Sequence, residues 1–170
     1  MIDPPWPMAK ITRQVRPKQT WKDDHQDDGL DYRTMTIEEI GALPIPALAE
    51  MGGCHVYLWT TQRFLRDAFA IFEGWGARYQ CLMTWVKNVG PTPFSWMYDT
   101  EHVLFGRIGS LDLVEKGLRL SFAAPVTHHS AKPDAFYTKA LAASPGPRLE
   151  MFARQPHDGF EPWGDEVARE

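Results

Sequence analysis

The apolar residues of this chain fall into short continuous runs separated by a helical pattern and by polar segments. The runs predict buried strands at 55–59, 79–86, 102–105 and 148–152. From Phe64 to Phe72 the apolar residues follow helical spacing, and Gly74 and Gly76 then end the predicted helix. Strands that alternate with helices predict an α/β sandwich with a mostly parallel sheet, whose ligands bind at the carboxyl ends of the strands.

Local signals add further element boundaries. Thr36 followed by Glu39 is a capping box, which predicts a short helix through Ala42, and Thr60 or Thr61 is expected to cap the helix after the first long strand. Pro133 predicts the start of a helix that runs to about Ala143. Residues 2–6 are predicted as a strand end that runs into a loop, because two prolines forbid a helix interior. Residues 107–120 predict a β-hairpin or an irregular insertion, and long loops are predicted at 7–33 and 88–100.

The bulk composition indicates one globular domain over residues 1–170. Apolar residues make up 44% and charged residues 24%, as in ordinary soluble proteins, and no apolar run approaches the roughly 20 residues of a membrane span. Cys54 and Cys81 lack zinc-site spacing, so reduced thiols in a cytoplasmic protein are expected. No metal is expected at His128-His129, since neighbouring residues on a strand point to opposite faces. Trp75, Trp85 and Trp96 are expected in the core, and the alternative for Trp96 is that it lines a substrate groove together with Tyr98.

Positive charge is concentrated near the amino end, although the net charge is −4. Residues 7–22 contain five cations and no acid, namely Lys10, Arg13, Arg16, Lys18 and Lys22. Residues 23–31 then add five aspartates. The basic segment is either a solvated face or a surface that contacts nucleic-acid phosphates.

A tetrapeptide with unusual chemistry, Asp3-Pro4-Pro5-Trp6, ends the first predicted strand. A carboxylate and the proline carbonyls supply hydrogen-bond acceptors on a backbone that proline stiffens. The aromatic ring that follows can stack on a base. The alternative interpretation of these four residues is a surface turn.

Six further motifs follow the tetrapeptide along the chain. They are Tyr32-Arg33-Thr34-Met35, Leu58-Trp59-Thr60, Trp85-Val86-Lys87-Asn88, Glu101-His102, Ser130-Ala131-Lys132-Pro133 and Glu150-Met151-Phe152-Ala153-Arg154. Together with the DPPW tetrapeptide and the ending GFEPWGDE at 159–166, they resemble the MT-A70 family of S-adenosylmethionine-dependent adenine-N6 methyltransferases. The resemblance is to bacterial or phage members and covers nearly the whole chain.

The resemblance implies that Asp3, Pro4, Pro5 and Trp6 are catalytic. An exocyclic adenine amine is a poor nucleophile because its lone pair is delocalised into the ring. The carboxylate and a proline carbonyl would hold its two N–H groups and draw the nitrogen toward sp³ geometry. Trp6 would stack on the extruded base.

The resemblance also implies a cofactor site for S-adenosylmethionine. Lys132 would bind the methionine carboxylate and Glu150 the ribose hydroxyls, whereas a solvated lysine and a surface carboxylate paired with Arg154 are the structural alternatives. The full implied set is Asp3, Ser130, Lys132, Glu150, Arg154, His157, Asp158, Asp165 and Glu166. Asp165 stands where the family has Asn, and an ionised Asp accepts hydrogen bonds without donating any.

The fold that the resemblance implies is a Rossmann-like α/β/α sandwich in the permuted order of the β class of amino-methyltransferases. Only Met1 and Ile2 precede Asp3 in this sequence, so we expect a very short first strand or a less complete core there.

The predicted function is methyl transfer from S-adenosylmethionine to the N6 amine of adenine, in DNA in preference to RNA. Residues implied to bind the nucleic acid are Lys10, Arg13, Arg16, Tyr32, Lys87, Asn88 and Glu101. Recognition is expected from the 7–33 and 88–100 loops, or from a homodimer or partner subunit. The alternative function is a non-catalytic nucleic-acid-binding or scaffold subunit, against which the intact DPPW argues. A dehydrogenase would need a GxGxxG motif, which the sequence lacks.

Overall fold

The computed structural model describes residues 1–8, 33–49, 52–90, 96–126 and 131–164. The helices are α1 (Ile37–Gly41), α2 (Leu65–Gly74) and α3 (Asp134–Ala143), with short 3₁₀ turns at Ile45–Leu48 and Gln62–Phe64. The strands are β1 (Gly53–Thr60), β2 (Arg78–Lys87), β3 (Thr100–Gly109), β4 (Ser121–Ala124), β5 (Leu149–Met151) and β6 (Glu161–Trp163). The four predicted strands and the three predicted helices are therefore confirmed, while β4 and β6 were not predicted.

The main sheet has the strand order β1-β3-β2-β4. Strand β3 lies between β1 and β2 and is antiparallel to both, whereas β2 and β4 are parallel. The α/β class is thus confirmed, but the mostly parallel sheet that we expected is not, because two of these three described pairings are antiparallel. The reason is that β2 is followed directly along the chain by β3, which returns beside it.

A second sheet, formed by the parallel strands β5 and β6, is joined to the first through residues 1–3. Ile2 bridges Leu58 of β1 on one side and Met151 of β5 on the other, parallel to both. The predicted strand end at residues 2–6 is therefore one residue long before the chain turns into the prolines.

Helices cover both faces of the main sheet because successive residues of a strand point to opposite sides. Val56 and Leu58 pack with residues of α1 and α2, such as Ile40 and Phe72. Tyr57 and Trp59 pack in a second cluster with residues of α3, including Phe136. The result is a three-layer arrangement with one apolar core on each face.

Of the two helix caps predicted from the sequence, one is present in the structure and the other is not. Thr36 Oγ1 accepts from the Glu39 amide at 3.1 Å and Glu39 Oε2 accepts from the Thr36 amide at 2.8 Å, so the predicted capping box is present. The predicted cap at Thr60 or Thr61 is wrong, because a 3₁₀ turn precedes α2 and Thr61 makes no side-chain capping bond.

Residues 107–120 continue β3 as far as Gly109 and then follow an irregular path, so the irregular insertion is observed and the hairpin is not. Gly109 has φ +77°, and a Cβ there would lie 2.8 Å from the Cα of Gly53. Only glycine fits this close approach of two backbones.

A groove of about 410 Å³ lies where β1 and β5 begin, beside Met1 and Ile2. Cys54 borders this groove, and both cysteines are free thiols. Among the described residues, no helix has the length and apolarity needed to cross a membrane.

Candidate active site

The sheet places Asp3 where β1 and β5 approach their carboxyl ends. Ile2 donates its amide to Tyr57 O at 2.8 Å and accepts from the Trp59 amide at 2.9 Å. Asp3 donates its own amide to Met151 O at 3.4 Å. The carboxylate therefore leaves the sheet at the edge where ligands of α/β proteins bind.

Both proline carbonyls of the tetrapeptide already accept one hydrogen bond. The Trp6 amide donates to Pro4 O and the Met35 amide donates to Pro5 O, each at 2.8 Å. A carbonyl oxygen has two lone pairs, so each can accept a second donor. These two hydrogen bonds fix the conformation of the turn. Pro4 is buried, which contradicts the alternative of a surface turn.

The ring of Trp6 lies in the core. It is 5% exposed and stacks on Phe64, with centroids 5.3 Å apart and planes 11° apart. Its Nε1 donates to Trp59 O at 3.0 Å. Phe64 and the sheet cover the ring, so its contacts in the structure are packing contacts, and stacking on a base stays a prediction.

Asp3 and three further charged side chains form a row of alternating charge. Lys132 Nζ lies 3.0 Å from Asp3 Oδ2 and 3.2 Å from Glu101 Oε2, and Lys87 Nζ lies 3.2 Å from Glu101 Oε1. The Lys132 side chain is 10% exposed, with its ammonium 4.9 Å from the centre of the Trp59 ring. This contradicts the alternative of a solvated lysine. We call Asp3, Lys132, Glu101 and Lys87 the charge row.

The ionisation of the charge row follows from burial and from its neighbours. Burial raises the pKa of Asp3, and the attraction of Lys132 only partly offsets this, so the pKa stays above its usual 3.8. Burial acts in the same sense on Glu101, but Lys132 and Lys87 outweigh it and hold the Glu101 pKa below 4.5. Burial lowers the pKa of Lys132, yet the two carboxylates outweigh that and raise it above 10.5. Asp3 is therefore the carboxylate of the row that protonates first as the pH falls.

Glu150 is 4% exposed and hydrogen-bonded through both oxygens. Its Oε1 accepts from the Tyr137 hydroxyl at 2.8 Å, and its Oε2 lies 2.9 Å from His157 Nδ1. The Tyr137 and His157 rings stack with centroids 3.7 Å apart. Burial and the adjacent Glu150 charge raise the pKa of the Tyr137 hydroxyl far above 10, which keeps it a donor. The surface location considered for Glu150 is thus wrong.

The remaining implied residues are placed less centrally or fall outside the described residues. Arg154 acts on Asp3 through its charge, which lowers the Asp3 pKa. Asp158 is exposed, and Asn88 Oδ1 accepts from the Val126 amide at 2.9 Å. Predictions for Lys10, Arg13, Arg16, Tyr32, Ser130, Asp165 and Glu166 concern positions outside the described ranges.

Sequence reasoning assigned no role to two residues of this region, Tyr137 and His102. Tyr137 carries no motif signal, and only its position one turn into the helix after Lys132-Pro133 could have suggested it. His102 is buried, with Nε2 2.8 Å from Gln62 Nε2 and Nδ1 3.2 Å from Thr84 Oγ1. Trp75 and Trp85 are buried as expected, but Trp96 is 86% exposed, so its core prediction is wrong. Within the described ranges, no group of three His, Cys, Asp or Glu side chains could hold a metal ion.

Comparison with known proteins gives relatives across the whole chain. It is 31% identical over 173 residues to an N(6)-adenosine-methyltransferase MT-A70-like protein of Drosophila melanogaster, covering 96% of this chain and 25% of that protein. It is 26% identical over 192 residues to human N(6)-adenine-specific methyltransferase METTL4, covering 99% and 37%. It is 25% identical over 178 residues to the type II methyltransferase M.MunI of Mycoplasma sp, covering 97% and 75%.

The chain thus spans a quarter to just over a third of the length of the first two of these relatives. The sequence pattern of the MT-A70 family matches residues 1–166, nearly the full length. The resemblance drawn from the DPPW tetrapeptide and the motifs after it is confirmed, and this chain belongs to the MT-A70 family.

Proposed function

We propose that this chain transfers a methyl group from S-adenosylmethionine to the N6 amine of adenine in nucleic acid. The observation that carries the proposal is the position of the Asp3 carboxylate. It lies at the carboxyl edge of the sheet, next to the Pro4 carbonyl, which a hydrogen bond from the Trp6 amide holds in place. The names of the relatives, which include an adenosine and an adenine-specific N6 methyltransferase, support the same chemistry.

The residues of the tetrapeptide would prepare the amine for attack. Asp3 and the second lone pair of Pro4 O accept its two N–H groups, which localises the nitrogen lone pair. Proline fixes the backbone, so little conformational freedom is lost when the base arrives. After transfer the nitrogen is cationic, and the negative charge of Asp3 stabilises it until a proton leaves. Trp6 and Phe64 support the turn from behind.

S-adenosylmethionine, when bound, supplies an electrophilic methyl group. The donors and acceptors of the site fit such a cofactor. Lys132 has three N–H donors and uses two on Asp3 and Glu101, so one remains for a carboxylate. Glu150 has about four acceptor positions and uses two, so it can accept from ribose hydroxyls. Asp3, Arg154, His157 and Asp158, with Ser130, Asp165 and Glu166, complete the proposed site.

The strand directions support a Rossmann-like fold in the permuted order of the β class. Ile2 is parallel to β1 and β5, β5 is parallel to β6, and β4 is parallel to β2. Because β3 is antiparallel to both β1 and β2, those two strands also run the same way. Only β3 opposes the common direction among the described strands. In this proposal, β3 is an antiparallel strand inserted into an otherwise parallel order.

DNA is the substrate we favour over RNA, because the chain covers 75% of a bacterial-type relative, the type II methyltransferase M.MunI. Sequence recognition would come from the 7–33 and 88–100 loops, or from a second copy or partner subunit.

The deciding experiment offers matched DNA and RNA oligonucleotides with S-adenosylmethionine and measures N6-methyladenine by mass spectrometry. N6-methyladenine formed in DNA at several times the rate in RNA supports the proposal. Cofactor binding without methylation of either polymer, while the protein still binds nucleic acid, would favour the scaffold subunit instead.

A further inference from the structure

The charge row connects two groups on the sheet with two groups outside it. Lys87 ends β2 and Glu101 is the second residue of β3, and the Lys87 amide donates to Asp99 O at 2.7 Å, just before that strand. Asp3 follows the single-residue bridge, and Lys132 lies in the segment before α3. The pair on the sheet is thus fixed by a backbone ladder, whereas Lys132 depends on its side-chain contacts for its position.

Lys132 is shared almost equally between two carboxylates. Its Nζ lies 3.0 Å from Asp3 and 3.2 Å from Glu101. Glu101 is in turn shared between two cations, at 3.2 Å from each. The attraction that Glu101 exerts on Lys132 therefore depends on how much of its charge Lys87 satisfies.

We propose that Glu101 and Lys87 are positioning residues that set how Lys132 is shared between the two carboxylates: Glu101 draws Lys132 away from Asp3, Lys87 limits that attraction, and neither contacts the nucleic acid in this role. The inference rests on the proposed methyl transfer. It replaces the substrate-binding role that the family resemblance implied for Lys87 and Glu101.

The charges predict opposite effects for two substitutions. Without Lys87, Glu101 attracts Lys132 more strongly and draws it from Asp3, so Asp3 protonates at higher pH. With Glu101→Gln, Lys132 loses one competing carboxylate and Asp3 loses one repelling neighbour, so Asp3 protonates at lower pH. The other described groups that act on Asp3 are Arg154 and the Tyr137 hydroxyl, and both substitutions leave them in place.

The experiment compares pH profiles of kcat/KM for the wild type, Lys87→Met, Lys87→Arg and Glu101→Gln, with the exposed Lys116→Met as control. Lys87→Met is expected to move the acid limb to higher pH by about half a unit, which lowers the rate below the limb about threefold. Glu101→Gln should move it the other way. Lys87→Arg, which keeps the charge, should leave the acid limb near its wild-type position, and Lys116→Met should match the wild type.

A second measurement separates this inference from the proposed function. Carboxyl ¹³C NMR follows the titration of Asp3 directly and needs no turnover. Opposite shifts of the Asp3 pKa in Lys87→Met and Glu101→Gln support the positioning role even if the chain methylates nothing. An unchanged Asp3 titration in both variants, or a Lys87→Met variant whose only defect is a raised KM for the oligonucleotide, would overturn it. If Lys87→Met does not fold, Glu101→Gln decides alone: a lowered Asp3 pKa supports the positioning role, and an unchanged or raised one overturns it.

Discussion

The ammonium of Lys132 lies 3.0 Å from the carboxylate of Asp3, although 128 residues separate them along the chain. The cation proposed to hold the methionine carboxylate is therefore also the counter-charge of the proposed catalytic acceptor. Substitutions at this pair should separate chemistry from cofactor binding, because only Asp3 is placed to face the amine.

Asp3→Ala is expected to abolish methyl transfer while S-adenosylmethionine affinity stays within a few-fold. Loss of an acceptor that acts in the transition state costs about 3 to 4 kcal/mol, or roughly two to three orders of magnitude in rate. Single-turnover methylation and calorimetry of cofactor binding would measure the two effects. Retention of more than about a tenth of the wild-type rate would exclude the role given to Asp3.

Lys132→Ala and Glu150→Ala are each expected to weaken cofactor binding by about tenfold or more, since a charge-assisted hydrogen bond contributes about 1.5 to 3 kcal/mol. Glu150→Ala should also destabilise the fold, because it leaves the Tyr137 hydroxyl without its buried acceptor. Calorimetry with the exposed Glu115→Ala as control would show the binding effect. Wild-type affinity in both variants would move the cofactor site elsewhere.

Acid should weaken the fold through Glu101. The pKa of Glu101 is lower in the folded protein than its ordinary 4.5, so its ionised form stabilises the fold above that value. This contribution is lost as the pH falls below 4.5 and through the lower folded pKa. Urea unfolding at several pH values should show a smaller loss of stability in this window for Glu101→Gln than for the wild type. If the free energy of unfolding changed equally with pH in the two proteins, the ion pairs of Glu101 would not stabilise the fold.

Trp6→Phe should keep a turnover within a few-fold of wild type and lose about 1 kcal/mol of stability with the bond to Trp59 O. Trp6→Ala should cost about 3 to 5 kcal/mol, as for other buried aromatic residues. Denaturant unfolding and methylation rates would be compared. If Trp6→Phe instead raised the KM for nucleic acid tenfold at unchanged stability, base stacking would be restored as its function.

The basic segment at 7–22 lies mostly outside the described residues, and its proposed role remains testable. If its cations contact phosphates, Arg13→Ala combined with Arg16→Ala should reduce the salt slope of nucleic-acid binding by roughly 0.7 to 0.9 per contact. Affinity should fall alike on all sequences, because phosphate contacts do not read bases. An unchanged slope with intact cofactor binding would leave a solvated segment.

Local sequence patterns were sufficient to predict the elements whose burial or capping depends on residues close by in the chain. The apolar run at 55–59 predicted β1, and Thr36 with Glu39 predicted the start of α1, because strand burial and capping depend on neighbours within a few residues. The three-residue strand β6 has too short a pattern to recognise. The insertion of β3 between β1 and β2 depends on long-range pairing that no window of sequence contains.

The same distinction applies to the site. The DPPW tetrapeptide drew attention to Asp3 because a carboxylate beside two prolines is unusual. The burial of Trp6 depends on Phe64, and the hydrogen bond from Tyr137 to Glu150 depends on how α3 packs beside β5. Side-chain contacts between distant segments decide such roles, so the sequence could nominate these residues without assigning what they touch.

Local opening of the chain around Ile2 would interrupt the site. Such openings occur without global unfolding, at a free energy below that of the whole protein. Asp3 directly follows Ile2, so each opening would withdraw the carboxylate from Lys132 and would also take Ile2 out of the apolar core that it shares with Leu58 and Met151. The competent fraction of molecules would then follow hydrogen-exchange protection of the Trp59 amide, whose acceptor is Ile2, more closely than any melting temperature.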